Sequence, residues 1–176
     1  MSTEVTIGPA RPEHADVIVG LLDELDRFYQ ATETEPAGQR VRHVLEALFS
    51  DRPSAHALLA WDKGRAIGFA SYSFLWPAAG STRSLYLKEL YVVDDHRGEG
   101  VGRSLMDALC QLAAEHDCSR VEWTTDDDNP GALQFYQTLG YVPKPSKIFY
   151  RIETNDLAAA GQRAVIGERQ PRGAGG

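Results

Sequence analysis

The clearest chemical signal in the sequence is a short segment between Arg97 and Arg103, in which glycines alternate with other residues at Gly98, Gly100 and Gly102. A pyrophosphate needs several inward-pointing N–H groups and a backbone that approaches it closely, with no Cβ atoms in the way. The spacing is neither a Walker loop nor the G-x-G-x-x-G of a dinucleotide-binding unit. We therefore predict a phosphate-binding loop, the alternative being a turn that merely joins a strand to a helix.

Glu89 is the second candidate for chemistry. It shares strand parity with Leu85, Leu87 and Tyr91, so simple alternation would place its carboxylate on an apolar face. A carboxylate in such a position needs a partner or a task. A β-bulge here would redirect the side chain into a cleft, as bulges beside active sites do. The alternative is an ordinary ion pair at the end of a strand.

Hydrophobic periodicity predicts the elements that position these residues. Strands are predicted at residues 5–7, 56–61, 66–75, 84–93, 120–125, 141–142 and 148–152. Helical spacing predicts helices that begin near Pro12, across residues 41–48, directly after the glycines, and after Asn129. For the last of these, Asn129 suits the N-cap, Pro130 the first helical position and Gly140 the left-handed C′ position.

The length of 176 residues favours one domain, which we place at residues 1–154. Few large apolar residues follow, so we predict that residues 155–176 form a flexible C-terminal tail. No stretch approaches the roughly 20 apolar residues of a membrane span, and the N-terminus lacks the pattern of a signal peptide. These features predict a cytoplasmic protein that does not enter a membrane.

Three blocks of sequence resemble the GCN5-related N-acetyltransferase (GNAT) superfamily. They are residues 90–93, the glycine segment, and residues 129–136 with 139–141. The resemblance runs over about residues 4–153 and is closest to the diamine and polyamine acetyltransferase branch. It implies an α/β GNAT fold, with a mixed, mostly antiparallel, splayed sheet of about six to seven strands and about four helices. It also suggests a homodimer.

The resemblance implies acetyl-CoA as co-substrate, with its pantetheine arm pairing with the strand backbone at Leu90, Tyr91 and Val92. The pyrophosphate would lie on the glycine segment and Asn129 near the pantetheine or the developing charge. The implied cofactor-binding residues are Leu90, Tyr91, Val92, Arg97, Gly98, Glu99, Gly100, Val101, Gly102, Arg103 and Asn129.

Acyl transfer to an amine poses two proton-transfer problems. An alkylammonium of pKa roughly 10 must lose a proton before it attacks, and the departing thiolate benefits from receiving one. Glu89 is the candidate base, acting directly or through water. The resemblance places Tyr136 beside the thioester sulfur as the acid, although a tyrosine in a helix is more often a core aromatic. Neither Cys110, inside the long helix, nor Cys118, in a turn before the next strand, has an evident catalytic histidine partner, so we predict direct transfer in a ternary complex.

The formal net charge of −7 argues against nucleic-acid binding and favours a cationic substrate. The five histidines and two cysteines lack the spacing of a metal site, so no metal is predicted. Residues 126–128 are a run of aspartates that is either a solvated loop or a lip that attracts a cation. Phe28, Tyr29, Tyr72 and Trp76 either line an acceptor pocket or pack in the core.

We expect the acceptor to be a primary amine of a small molecule. Polyamine acetyltransferases that this chain resembles carry adjacent acidic residues where Lys88 and Glu89 stand here, so a true polyamine substrate is in doubt. Monoamines, amino-acid-like amines and amine-bearing antibiotics stay open. The alternatives are a protein or peptide amine acetyltransferase and a non-catalytic acyl-CoA-binding regulatory module.

Overall fold

The computed structural model describes residues 5–31, 35–153, 156–157 and 161 of the chain. The chain divides into two compact units, Met1–Gln134 and Phe135–Gly176. The first unit contains every strand of the described residues and three complete helices. A fourth helix begins in the first unit and ends in the second.

The first unit is built on one five-stranded sheet with the strand order β1-β2-β3-β4-β5. Its strands are β1 (Thr6–Pro9), β2 (His56–Asp62), β3 (Arg65–Leu75), β4 (Arg83–Val92) and β5 (Cys118–Glu122). The first three pairings are antiparallel, whereas β4 and β5 run parallel. A parallel pair requires a crossover connection, and a helix between β4 and β5 provides it.

The helices are α1 (Ala15–Phe28), α2 (Ala37–Phe49), α3 (Val101–Glu115) and α4 (Pro130–Thr138). Of the helices in the described parts of the chain, none combines the length and the apolar character required to cross a membrane.

The sheet receives helices on both faces. On one face Tyr91 of β4 donates a hydrogen bond from its hydroxyl to Glu24 of α1, over 3.1 Å. On the other face Leu105 of α3 lies close to Gly68 of β3, so close that a Cβ added to the glycine would come within 3.5 Å of it. We call these the α1 face and the α3 face. Every large side chain with less than 2% exposure belongs to the strands or to α3: Leu59, Ile67, Phe69, Leu85, Val101, Leu105, Met106 and Leu109.

Local sequence explains the turn between β2 and β3. Lys63 and Gly64 are its two central residues, and both have positive φ, of 47° and 82°. Two consecutive left-handed residues define the type I′ turn, whose twist matches that of the flanking strands. The predicted hairpin is therefore confirmed.

The predicted α/β class and the four helices are confirmed, but the expected six to seven strands are too many. Residues 141–142 and 148–152 were predicted to complete the sheet, and neither segment is a strand. Their apolar side chains are exposed, including Val142 at 76% and Tyr150 at 85%. A strand-like composition stabilises a ladder only when a partner edge is available and a face is buried. The predicted tail comprises residues 155–176. Only residues 156, 157 and 161 of it belong to the described part of the chain, so the prediction of a flexible tail lies outside the described residues.

Candidate active site

A β-bulge interrupts β4 next to the candidate base. Glu89 lies opposite Ser71 of β3, while Leu87 lies opposite Tyr72, so that Lys88 is left without a partner in the ladder. Two neighbouring residues of β3 thus face three residues of β4, which defines the bulge. The structure therefore contains the bulge that the sequence analysis considered as a way to redirect the Glu89 side chain.

The strand register on either side of the bulge shows which face Glu89 occupies. Residues directly opposite each other in a sheet share a face, so Glu89 lies on the face of Ser71. Two residues along β3, Phe69 is paired with Tyr91, whose hydroxyl contacts α1. Glu89 therefore lies on the α1 face. Leu87, by contrast, shares its face with Tyr72, away from the carboxylate.

The surroundings of Glu89 make its carboxyl a weaker acid than that of an ordinary glutamate. Its side chain is 34% exposed, and the nearest cation is Lys88, whose Nζ lies 3.6 Å from Oε1. Burial raises the pKa of the Glu89 carboxyl, Lys88 opposes this shift, and the carboxylates of Asp126 and Asp26 raise the pKa further. A carboxyl with a raised pKa is a better proton acceptor than an ordinary glutamate.

Tyr29, directly after α1, lies beside this carboxylate. Burial is the largest cause that raises the pKa of its phenol, and the charges of Glu89 and Asp126 add to it. A hydrogen bond with the Asn129 side chain acts in the opposite direction. The Tyr29 phenol therefore keeps its proton at neutral pH, next to two carboxylates.

The side chain of Asn129 caps the N-terminus of α4. Its Oδ1 accepts a hydrogen bond from the backbone N–H of Ala132, over 3.1 Å, in the first turn of α4. This is the N-cap that the sequence predicted. At the other end of α4, Gly140 has φ = 83°, as expected of a C′ glycine. The role of Asn129 toward a pantetheine arm stays a prediction.

The glycine segment has the geometry of an anion site. Gly98 and Gly100 have φ of 80° and 87°, and Gly100 is the N-cap of α3, which begins at Val101. Residues 97–100 are exposed, and a Cβ built on either glycine would meet no heavy atom within 4 Å. The first-turn N–H groups of α3, at Val101, Gly102 and Arg103, have no partner within a helix. With the helix dipole, they favour bound negative charge.

Arg97 is engaged in contacts within the protein. Its Nε donates to the carbonyl of Val92 over 3.0 Å, and another guanidinium nitrogen lies 2.7 Å from Oδ1 of Asp94. The guanidinium also lies over the rings of Phe28, at 4.9 Å, and Tyr91, at 5.5 Å. Arg97 thus ties the glycine segment to β4 and α1, and Asp94 offsets part of its positive charge.

The second half of β4 has an open edge. Strand β5 pairs with β4 only from Arg83 to Tyr86 and ends at Glu122, and within the described ranges no strand pairs with β4 beyond that point on this side. The Val92 carbonyl accepts Arg97 Nε instead of a β3 donor, so it points to the open edge. Because backbone groups alternate along a strand, those of Leu90 point the same way.

The open edge fits the predicted strand-like pairing of a pantetheine arm at Leu90 and Val92. Tyr91 differs, because its carbonyl lies against β3, where a Cβ on Gly68 would approach it to 2.7 Å. The hydroxyl of Tyr91 is bound to Glu24. Its backbone and side chain are thus used within the first unit.

The remaining candidate residues from the sequence are Tyr72, Trp76 and Tyr136. Tyr72 is buried and lies on the α3 face beside Phe74, with ring centroids 5.8 Å apart, so it packs in the core. The indole N–H of Trp76 donates to the carbonyl of Ser81 within the β3–β4 connection. Tyr136 is on α4 in the second unit, its ring 5.0 Å from that of Phe135. Its catalytic role stays a prediction.

The sequence did not indicate Asp26, a carboxylate whose charge raises the pKa of Glu89. Asp26 acts on Glu89 from α1, and Arg40 of α2 is its partner. The only local signal was the i,i+3 spacing of Asp23 and Asp26, which places both on one side of the helix. No group of three or more histidine, cysteine or acidic side chains that could hold a metal occurs in the described ranges.

Comparison with known proteins identifies the family of the chain. The profile of the family described as Acetyltransferase (GNAT) family matches residues 19–141, which is more than half of the chain. The chain belongs to the GNAT family. It is therefore an acetyl-CoA-dependent acetyltransferase. The matched residues include most of α1, the sheet from β2 onward, the glycine segment and α4.

Among related sequences, a thialysine N-epsilon-acetyltransferase of Sus scrofa is 28% identical over 123 residues, covering 63% of this chain and 72% of the relative. A D-amino-acid N-acetyltransferase of Saccharomyces cerevisiae is 35% identical over 95 residues, covering 53% of this chain and 58% of the relative.

Among solved structures, an integron cassette protein from the mobile metagenome of V. cholerae has a TM-score of 0.82 and 30% identity, covering 92% of this chain and 99% of that one. An aminoglycoside N-acetyltransferase AAC(6')-Iy in complex with CoA has a TM-score of 0.70 at 22% identity, covering 87% of this chain and 97% of that one. The latter likeness concerns the fold alone.

Proposed function

We propose that this GNAT enzyme transfers the acetyl group of acetyl-CoA to a primary amine of a small molecule, such as the side-chain amine of an amino-acid-like substrate. The observation that carries the proposal is Glu89, a partly buried carboxylate on the α1 face. Its pKa is raised by burial and by the charges of Asp126 and Asp26. Such a carboxylate attracts an ammonium group and accepts its proton.

In this proposal Glu89 takes a proton from the bound ammonium, directly or through water, so that the free amine attacks. Acetyl-CoA supplies the acetyl group as a thioester. Leu90 and Val92 orient the pantetheine arm through backbone hydrogen bonds, and the N-terminus of α3 binds the phosphates. Tyr136 is the proposed proton donor to the leaving sulfur.

The charge around Glu89 favours an acceptor with one cationic centre at this point. Lys88 lies 3.6 Å from the Glu89 carboxylate, and its side chain is 69% exposed. A second ammonium next to the reacting one would be repelled by Lys88. The names of the relatives support amino-acid amines, since they include enzymes for thialysine, for D-amino acids and for L-ornithine. A protein or peptide amine is the second candidate, supported by a relative named N-alpha-acetyltransferase 40.

The test is a thiol-release assay with acetyl-CoA and a panel containing thialysine, lysine, ornithine, D-amino acids, spermidine, an aminoglycoside and a short peptide. We expect turnover of side-chain amines to exceed that of spermidine and of the peptide. Preference for the peptide would favour a protein acetyltransferase instead. If no small amine of the panel causes CoA to be released, the proposal is refuted.

The role of Glu89 is tested with Glu89→Gln and the matched control Glu46→Gln, an exposed residue of α2. General base catalysis is worth roughly 10²–10⁴-fold, so kcat/KM should fall by that factor in Glu89→Gln only. In wild type, activity should rise with pH through the raised pKa of Glu89, because the ionised carboxylate is the base. If the acid limb of the pH profile persists in Glu89→Gln, another group is the base.

A further inference from the structure

A single guanidinium ties α2 to the end of α1. One terminal nitrogen of Arg40, on α2, lies 2.8 Å from Oδ1 of Asp23 and 2.7 Å from Oδ2 of Asp26. The Arg40 side chain is only 13% exposed, whereas the two carboxylates are 46% and 33% exposed. An arginine held this tightly between two carboxylates fixes their positions as well as their charge.

Asp26 lies in the last turn of α1 and Tyr29 is the C-cap residue that follows it. Residues three apart are neighbours on a helix surface. The carbonyl of Asp26 accepts the N–H of Ala31 over 2.9 Å, so this residue also anchors the chain that leaves the helix. Glu89 lies on the α1 face of the sheet, and the charge of Asp26 raises its pKa. The end of α1 and the candidate base are therefore on the same face of the sheet.

Four charged or titratable groups face Glu89. Lys88 comes from its own strand and Asp126 from the segment after β5. Asp26 comes from α1, and Tyr29 is the residue directly after it. Only Asp26 among the acidic neighbours has a guanidinium bound to it in the described contacts. Arg40 thus moderates one of the two negative charges nearest to the base and leaves Asp126 to attract a cation.

We propose that Arg40 is a positioning residue for the acceptor amine, which holds the last turn of α1 so that Tyr29 and Asp26 face Glu89 and which sets the charge that the incoming ammonium meets. Arg40 acts through Asp26 and does not touch the substrate. The inference rests on the proposed amine acceptor. It concerns the acceptor side only, so binding of acetyl-CoA at the glycine segment is independent of it.

The first test compares Arg40→Gln with Arg42→Gln, a change of the same type at an exposed residue of the same helix. Losing the ion pairs frees the last turn of α1, so KM for the best amine of the panel should rise by roughly tenfold in Arg40→Gln. KM for acetyl-CoA should stay within twofold in both variants. A rise of equal size in both KM values of Arg40→Gln would overturn the proposal, because the effect would then be general loss of structure.

The second test does not depend on turnover. The side-chain carboxyl of Glu89 is titrated by NMR in wild type, Arg40→Gln and Arg42→Gln. Without Arg40 the charge of Asp26 is uncompensated, so the midpoint of Glu89 should rise by about half a pH unit in Arg40→Gln alone. Adding Asp26→Asn to Arg40→Gln should cancel this rise. An unmoved midpoint in Arg40→Gln refutes the link between Arg40 and Glu89.

Arg40→Lys separates charge from geometry and covers the case in which Arg40→Gln does not fold. Lysine keeps the positive charge but lacks the planar guanidinium, so KM for the amine should rise while the Glu89 midpoint stays at its wild-type value. Wild-type KM in Arg40→Lys would refute the positioning role. If wild type acetylates no amine, the proposed function fails, and the NMR titration still decides whether Arg40 acts on Glu89.

Discussion

Replacing Gly100 by alanine tests whether the glycine segment binds the phosphates of the cofactor. Gly100 has φ = 87° and Gly64, in the β2–β3 turn, has φ = 82°. A Cβ at either position meets no heavy atom within 4 Å, so neither variant produces a clash. The left-handed conformation costs a residue with a Cβ roughly 1–2 kcal/mol. Gly100→Ala and Gly64→Ala should therefore lose the same free energy of unfolding.

Only Gly100→Ala should also weaken cofactor binding. Its methyl group occupies space beside the first turn of α3, where the proposal places the pyrophosphate. A hydrogen bond to a charged group contributes about 1.5–3 kcal/mol, and losing one corresponds to an increase of roughly 10- to 150-fold in Kd. Gly64 is in a hairpin turn without this role, so Gly64→Ala should bind acetyl-CoA with the wild-type Kd.

The measurements are urea unfolding followed by circular dichroism and titration calorimetry with acetyl-CoA, on wild type and both variants. The reasoning about the glycine segment is refuted if Gly100→Ala binds acetyl-CoA as tightly as wild type while losing the expected stability. An equal rise in Kd for both variants would mean that destabilisation alone weakens binding. A loss of stability in only one variant would contradict the conformational argument.

Three further predictions concern β3, the bulge and the segment after β4. Gly68→Ala should lower the free energy of unfolding by about 1–3 kcal/mol, because its Cβ would approach the Tyr91 carbonyl to 2.7 Å; urea unfolding checks this, and an unchanged midpoint contradicts it. Lys88→Glu should raise kcat/KM for spermidine relative to lysine by roughly 2- to 10-fold, a small effect because the side chain is exposed; an unchanged ratio counts against the charge argument. The Arg65 and His96 hydrogen bonds lower the pKa of Asp95 to about 2 from 3.8, so its stabilisation is present above pH 3.8 and is lost as the pH falls toward 2. In acid unfolding measurements, the free energy of unfolding of Asp95→Asn should therefore change less with pH in that range than that of wild type.

The sequence predicted those features that depend on neighbouring residues. The N-cap at Asn129 and the left-handed Gly140 follow from the stereochemistry of helix ends, and Gly64 in the β2–β3 turn follows from turn chemistry. The left-handed glycines before α3 were predictable for the same reason. The bulge at Lys88 was predictable because regular alternation would have buried a carboxylate on an apolar face.

Features that depend on distant parts of the chain were not predictable. The ion pair of Asp26 with Arg40 exists because α1 packs against α2, and no spacing in the sequence encodes that contact. The position of Arg97 over the Phe28 ring likewise requires α1 to be in place. Residues 148–152 have the composition of a strand, yet composition does not supply a partner edge. The catalytic roles of Glu89 and Tyr136 remain predictions.

The bulge in β4 changes the charge beside Glu89 without being needed for the alternation of side chains along the strand. Deleting Lys88 would leave Glu89 directly after Leu87, and the two side chains would still point to opposite faces, as they do now. The extra residue is therefore dispensable for the pattern of inward and outward side chains. What it adds is a local bend and an exposed ammonium beside the carboxylate. Position 88 is thus a place where the proposed effect of charge on acceptor preference can be tested with little penalty to folding.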